Sequence, residues 1–349
     1  MTEKDILAQR LYVQQLNSSW FTTVGQLISW FGAIQSQDYQ GAKWAIGQRL
    51  SISDKKVEES FNNGEILRTH VMRPTWHFIS PEDIVWMQAL TSTRVGRLMN
   101  YYNKKLGLNG EVFKNTQEVM IDALQELQYL TRTELSEKLN EKGLSFKGQA
   151  LGHVVMQAEL DGILCSGPRR GKQFTYALIE ERAPHAKKLS SDESLELLVR
   201  KYFQSHGPAT IKDFCWWSGL SAADAKLGIE MNQNINSLML EKNIYYFFEM
   251  KSQSIKDKVY LLPNYDEYGI AYKLRDLFLK KTGYRIPPNA GQMIFSHLII
   301  YEGKLIGLWR RTFVKDNVEV DTTFFHKPRA HVMNLVNEEI KRYKNFFIS

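Results

Sequence analysis

Apolar residues recur along this chain with two periods, and the places where the period changes divide it into units. Residues 6–16 carry apolar side chains at helical spacing, with Thr2 placed as the cap and Glu3 and Asp5 near the first turn. Residues 24–34 repeat that spacing, 42–49 resume it after a break, and 53–62 form a fourth helix capped by Ser53 and stopped at Asn63-Gly64. The period then drops to two. Residues 66–73 and 75–79 alternate as strands across Arg73-Pro74. Helices followed by a hairpin outline a winged helix.

The same scheme returns twice. Residues 116–128 form a helix, Thr131 and Glu134 have the spacing of a capping box that opens the next, Gly143 stops it, and 148–160 form a third. Strands at 163–166 and 174–178 then flank a tip rich in Gly, Pro and basic residues, running from Gly167 to Lys172. Arg169, Arg170 and Lys172 on that tip, with Lys147 before the third helix, are candidates for phosphate contact. The alternative is that they are ordinary solvated cations. In the third unit, helices at 195–205, 211–218 (capped by Thr210) and 222–229 precede strands at 244–248 and 259–262. Beyond Pro263 a helix at 273–281 leads to strands turning at Glu302-Gly303 and Asp316-Asn317, then a closing helix at 328–343. The predicted fold is α+β and mainly α. Three tandem winged-helix modules (1–112, 113–188 and 189–262) are followed by a small β-rich C-terminal domain (263–349) with a closing helix.

Charge and composition narrow the chemistry. Lys and Arg number 45 against 38 Asp and Glu, a net charge of +7 that permits a polyanionic partner without requiring one. Cys165 and Cys215 stand alone, without the spacing of a zinc site or a disulfide framework, which fits a reducing cytoplasm. There is no apolar run of membrane length, no Gly-rich phosphate loop and no nucleophile elbow. No metal or cofactor is expected.

The candidate chemistry starts at Gln35-Ser36-Gln37, between two helical stretches. Residues i and i+2 share a side only on extended backbone, so the two glutamines act together only from a non-helical turn. The plainer alternative is a pair of amides satisfying backbone groups. Asp38 follows as either a base or, the commoner role, a helix N-cap. Arg73, Thr75 and His77 alternate on the first hairpin and so share a face, as site residues or, for His77, as a buried structural group. Asp266-Glu267 read as turn residues capping the following helix, and Trp216-Trp217 as core aromatics. Arg310 and Arg311, adjacent on a strand, point to opposite sides.

The segments IQSQDYQGAKWAIGQRL, LRTHVMRPTWHFISPED, SHGPATIKDFCWWSGLS, LLPNYDEYGIAYKLR and LIIYEGKLIGLWRRT, in this order, span nearly the whole chain. Together they resemble the tandem winged-helix proteins of the AlkZ/YcaQ type, bacterial DNA glycosylases that release alkylated bases and unhook interstrand crosslinks. The resemblance implies three winged helices in a C shape around duplex DNA, a C-terminal β-domain, and a catalytic Gln-x-Gln or Gln-x-Asp motif on which Gln35 and Gln37 fall. It also puts the first hairpin near that motif. The middle position, typically aliphatic in the family, is Ser36 here.

A glutamine amide is no general base near neutral pH, so such a pair orients water and offers dipoles. That suffices for a leaving group that departs easily, such as an N7- or N3-alkylated purine, which carries a positive charge and leaves neutral. The expectation is a monomeric, cytoplasmic, nucleoid-associated monofunctional glycosylase. A non-enzymatic winged-helix DNA-binding or regulatory protein is the competing expectation.

Overall fold

The computed structural model describes residues 2–251, 254–279, 295–314 and 317–348. It is an α+β chain, about half helical, with small antiparallel sheets. Helix α1 (Glu3–Val13) opens with a reciprocal capping box between Thr2 and Asp5. Helix α2 (Val24–Phe31) ends earlier than periodicity predicts, because Gly32 takes φ +79° and turns the chain out of the helix. Residues 33 and 34, expected to be helical, instead lie in strand β1 (Ala33–Gln35). Asp38 then caps α3 (Tyr39–Leu50), accepting a bond from the Gly41 N–H. Ser53 sits at the N-cap of α4 (Asp54–Asn62) but makes no side-chain capping bond. Strands β2 (Leu67–Val71) and β3 (Arg73–Ile79) turn at Met72, and β3 is central in the order β1-β3-β2.

Helix α5 (Ile84–Lys105) has no counterpart in the pattern read from the sequence. The second unit comprises α6 (Gly110–Leu127), β4 (Leu130–Thr131), α7 (Arg132–Glu141), α8 (Ala150–Leu160), β5 (Leu164–Ser166) and β6 (Thr175–Leu178). Its core gathers Leu124, Leu135, Leu139, Val154 and Leu178. A short α9 (Ile179–Arg182) links it to α10 (Ser191–His206), α11 (Ile211–Ser218) and α12 (Ala222–Met231).

The strand pairing after α12 differs from expectation. Strand β8 (Asn243–Phe247) pairs with β7 (Asn236–Leu240), a strand the sequence pattern did not reveal, across a tight turn. Strand β9 (Val259–Leu262), expected to close that hairpin, joins the C-terminal sheet beside β10 (His297–Tyr301). All four residues of β9 are buried, so although it is the edge strand of that sheet both its faces are covered, unlike a strand of an exposed two-stranded ribbon. The sheet continues through β11 (Lys304–Val314) and β12 (Asn317–Phe324) in the order β12-β11-β10-β9. Asp316 of the expected hairpin turn lies outside the described residues. So do Lys280 and Lys281 of the helix expected at 273–281, of which α14 (Asp276–Leu279) is described after the short α13 (Glu267–Ile270). Helix α15 (Ala330–Ile348) is the last element.

Two cores hold the first unit in place. On one side Val71, Met87, Leu198, Tyr202, Phe214 and Trp217 join its sheet to α10 and α11. On the other, Trp44, Leu261, Trp309, Tyr343 and Phe346 join α3 to the C-terminal sheet and α15. The Trp44 and Trp309 indoles donate to the Leu261 and Leu262 carbonyls at 2.7 and 2.8 Å, so their burial costs no unpaired N–H. Full burial of a neighbouring aliphatic side chain such as Leu261 stabilises by roughly 1.5–3 kcal/mol. The Gln35–Gln37 turn therefore sits where three parts of the chain meet. Among the described residues, no helix is long and apolar enough to cross a membrane.

Candidate active site at the Gln35 to Gln37 turn

Strand β1 pairs antiparallel with β3, with Gln35 opposite His77. One residue on, the Ser36 N–H donates to the Trp76 carbonyl at 2.7 Å, so extended pairing continues through the tripeptide. Gln35 is buried and Gln37 exposed. Alternation along β3 sets Arg73, Thr75 and His77 on the face of Gln35.

The hydrogen bonds on that face orient Arg73, Gln35 and His77. Arg73 donates from Nη2 to Gln35 Oε1 at 3.0 Å and to His77 Nε2 at 3.2 Å. A guanidinium only donates, so the Gln35 atom facing it is the carbonyl oxygen and His77 Nε2 is the unprotonated nitrogen. The His77 proton then lies on Nδ1, which donates to the Thr75 carbonyl at 2.9 Å. Burial, then the charge of Arg73, hold the His77 pKa well below 6.5, consistent with this neutral tautomer. With its oxygen taken by Arg73, Gln35 has its amide NH2 left to offer. The Oε1 of Gln37 accepts only a long 3.4 Å bond from the Trp76 N–H.

Beneath the turn lies a carboxylate. Glu267 Oε1 accepts the Gln35 backbone N–H at 3.0 Å, and Oε2 accepts from Trp217 Nε1 at 3.0 Å and faces His206 Nε2 at 3.3 Å. Glu267 is 1% exposed and His206 and Trp217 are fully buried. Its neighbour Asp266 caps α13 and forms a two-point pair with Arg49 of α3 at 2.8 and 2.9 Å. Asp38, besides capping α3, pairs with Arg311 at 2.5 Å.

The opposite face of the sheet is cationic and aromatic. The Arg68 guanidinium lies 4.4 Å from the Trp76 ring centre and 4.6 Å from that of Phe174, and donates to the Ser36 carbonyl. Burial pulls its pKa down to about 10, which leaves it charged at neutral pH. These groups open onto a groove of about 320 Å³ shared with Arg132, Lys172 and Tyr176 of the second unit. A larger cavity of about 740 Å³, among Trp30, Ser29, Arg182 and Lys201, includes none of the three turn residues.

The remaining candidates are dispersed. Lys172 reaches the groove. Arg170 pairs with Glu134 at 2.6 Å, and Arg169 lies over the Tyr39 and Phe174 rings. Lys147 is exposed on the loop before α8. Trp217 is core, whereas Trp216 is half-buried beneath Lys273 and Arg275. Sequence reasoning missed Arg68, Trp76 and the contact of Glu267 with Gln35. Period-two alternation in β2 and β3 carries a signal for the first two; nothing local marks the third.

Comparison with known proteins identifies the family. The chain is 21% identical over 326 residues to an interstrand DNA cross-link repair glycosylase of Streptomyces sahachiroi, covering 88% of this chain and 87% of that protein. Its fold superposes on the solved structure of the Streptomyces sahachiroi DNA glycosylase AlkZ with a TM-score of 0.77 at 18% identity, covering 99% of this chain and 97% of the other. The family model described as DNA glycosylase AlkZ-like matches residues 28–346. The chain belongs to the AlkZ-like DNA glycosylase family.

Proposed function

We propose that this protein is a monofunctional DNA glycosylase that hydrolyses the N-glycosidic bond of cationic alkylated purines, and that crosslinks joined through such purines are among its substrates. The observation that carries the reading is the fixed Gln35 amide beside the exposed Gln37. A water between them accepts from Gln35 Nε2 and donates to Gln37 Oε1, leaving a lone pair for C1′. The base departs with the bonding electrons, which cancels its positive charge. The water oxygen bonds to C1′, and its surplus proton passes to solvent. Neither amide takes up a proton, so the site's contribution is position and dipole. A base that leaves only when protonated gains little here.

The three helix-and-hairpin units (1–112, 113–188 and 189–258) are proposed to act as winged helices around duplex DNA, with β9 and the 263–349 segment as the β-rich domain. The relative from Streptomyces is named for crosslink repair, and that activity extends to this chain as part of the proposal. The groove lined by Arg68, Trp76 and Lys172 supports a polyanionic partner.

The test is base release from a duplex with a single N7-methylguanine. Wild type releases it, and Gln35→Ala and Gln37→Ala each slow release at least tenfold, about 1.4 kcal/mol of barrier. Release that survives both substitutions places catalysis elsewhere. DNA binding without release, for this lesion and for bulkier N7 adducts, favours the non-enzymatic reading.

A further inference from the structure

We propose that the exposed face of α5 is a second contact surface for duplex DNA, tracking the phosphates that flank the reacting nucleotide. The inference deepens the glycosylase reading and rests on it for the location of the site. Residues 84–110 contain no Asp or Glu, in a chain where carboxylates make up about one residue in nine. Over the same stretch Arg94, Arg97, Lys104 and Lys105 supply four cations.

They share one side of α5. Positions 94, 97, 98, 101, 104 and 105 recur three and four residues apart, so they form a single stripe. Between the cations, Leu98 and Tyr101 are 58% and 61% exposed, an unusual density of large apolar groups left in water. The Lys105 ammonium lies 4.5 Å from the Tyr101 ring centre. Among the described residues, none of the four cations is engaged in an ion pair. A solvated helix face ordinarily mixes both signs of charge; this one carries a single sign interleaved with aromatic surface, which complements a phosphate backbone and its sugars.

The stripe is rigid and joined to the site. On its inner side Val95 and Met99 pack on Met156 and Leu160 of α8, and Asn103 bonds His153 at 2.7 Å. Its first cation follows one turn after Thr91, whose hydroxyl accepts the N–H of Met72 at 3.1 Å. Met72 is the turn residue immediately before Arg73, the group that holds Gln35. From Arg94 to Lys105 the helix rises about 16 Å at 1.5 Å per residue, enough to span several phosphates.

The test measures binding of a short undamaged duplex by fluorescence anisotropy between about 50 and 200 mM salt. The variants are Arg94→Gln/Arg97→Gln/Lys104→Gln/Lys105→Gln, Tyr101→Ala alone, and a charge-matched control, Lys55→Gln/Lys56→Gln/Lys226→Gln/Lys242→Gln. In the α5 variant the plot of log affinity against log salt becomes shallower by about 0.9 for each lost phosphate contact, up to about 3.6 for four. Affinity at the lowest salt falls at least tenfold, and Tyr101→Ala weakens binding at every salt concentration without changing the slope. An equal loss of slope in the control, no change in the α5 variant, or a wild type that does not bind duplex would each overturn the proposal. So would tighter binding of wild type to anionic lipid vesicles than to duplex, with the α5 variant losing the vesicles instead. Base release by wild type is followed in parallel. An inactive wild type that still binds DNA sinks the glycosylase reading, while the slopes continue to judge α5.

Discussion

The backbone N–H of Gln35 donates to Glu267 across 232 positions of sequence. That bond fixes the start of the turn from below, while Arg73 fixes the Gln35 side chain from above. Glu267 also faces donors on Trp217 and His206, all in a dry interior. The proton inventory of the pair is constrained. The Ser205 hydroxyl donates to the Lys201 carbonyl at 2.6 Å, so it accepts from His206 Nδ1, and one further proton lies between His206 Nε2 and Glu267. Glu267→Gln leaves one acceptor oxygen for two donors: turned to Gln35 it sets its NH2 against the Trp217 indole N–H, and turned to Trp217 it sets its NH2 against the Gln35 N–H. The expected cost is about 1–3 kcal/mol of stability, read by urea unfolding. Base release should slow more than DNA binding weakens. A variant with normal stability and normal release would show that Glu267 does not position Gln35.

Arg73 is predicted to act through orientation. Both bonds, to Gln35 and to His77, leave one nitrogen, Nη2, which the planar guanidinium holds in place; a lysine ammonium sits on a shorter, more flexible stem and does not reach that position. Arg73→Lys should therefore lose at least tenfold in single-turnover base release, with Arg73→Ala lower still, while affinity for undamaged duplex changes by less than threefold, or about 0.7 kcal/mol. A parallel loss in affinity would instead make Arg73 a phosphate contact.

Much of this arrangement is legible in the sequence because its signals are local. Thr131-x-x-Glu134 and Thr210 before α11 announce their helices by capping chemistry, and both boxes form. Alternation in β3 sets Arg73, Thr75 and His77 on one face without any structure. What escaped depends on partners distant in the chain. The residues of β9 look the same whether they close a hairpin with β8 or join β10, and only the burial of both faces decides. Residues 33 and 34 carry helical periodicity, yet the free edge of β3 draws them into a strand. Glu267 reads as an ordinary turn carboxylate until the fold sets Gln35, Trp217 and His206 around it.

Stability should fall with acid below the ordinary histidine range. Burial lowers the pKa of His77, and it brings that of His297 to about 4. A folded value below the unfolded 6.5 means that the unfolded chain binds more protons between the two, so stability rises with pH there. The contribution is complete above about pH 6.5 and is lost as pH falls through that value toward the lowered ones. Glu339, whose pKa burial raises, opposes this only nearer the carboxylate range. Urea midpoints measured from pH 7.5 down to 5 should decline steadily, and His297→Gln should flatten part of the decline. A profile that is flat to pH 5 would contradict the neutral buried tautomers, including the one that orients Arg73 and Gln35.

The turn that carries Glu267 is held in turn by Arg49 and Asp266, which are almost wholly buried and joined at two points. Arg49 also donates to the Gln14 and Ala45 carbonyls, and the Asp266 carboxylate caps Tyr268. Removing one member strands a charge in the interior, a loss of about 3–5 kcal/mol. Asp266→Ala should therefore destabilise by that amount, and Arg49→Met/Asp266→Leu, which removes both charges, by less than the sum of the single changes. The difference, read as a double-mutant cycle in urea, reports the coupling. If Glu267 reaches Gln35 because this pair holds its turn, Asp266→Ala should also slow base release below the unfolding temperature. Release unchanged in folded Asp266→Ala would mean that the packing of Trp217 and His206 alone keeps Glu267 under Gln35.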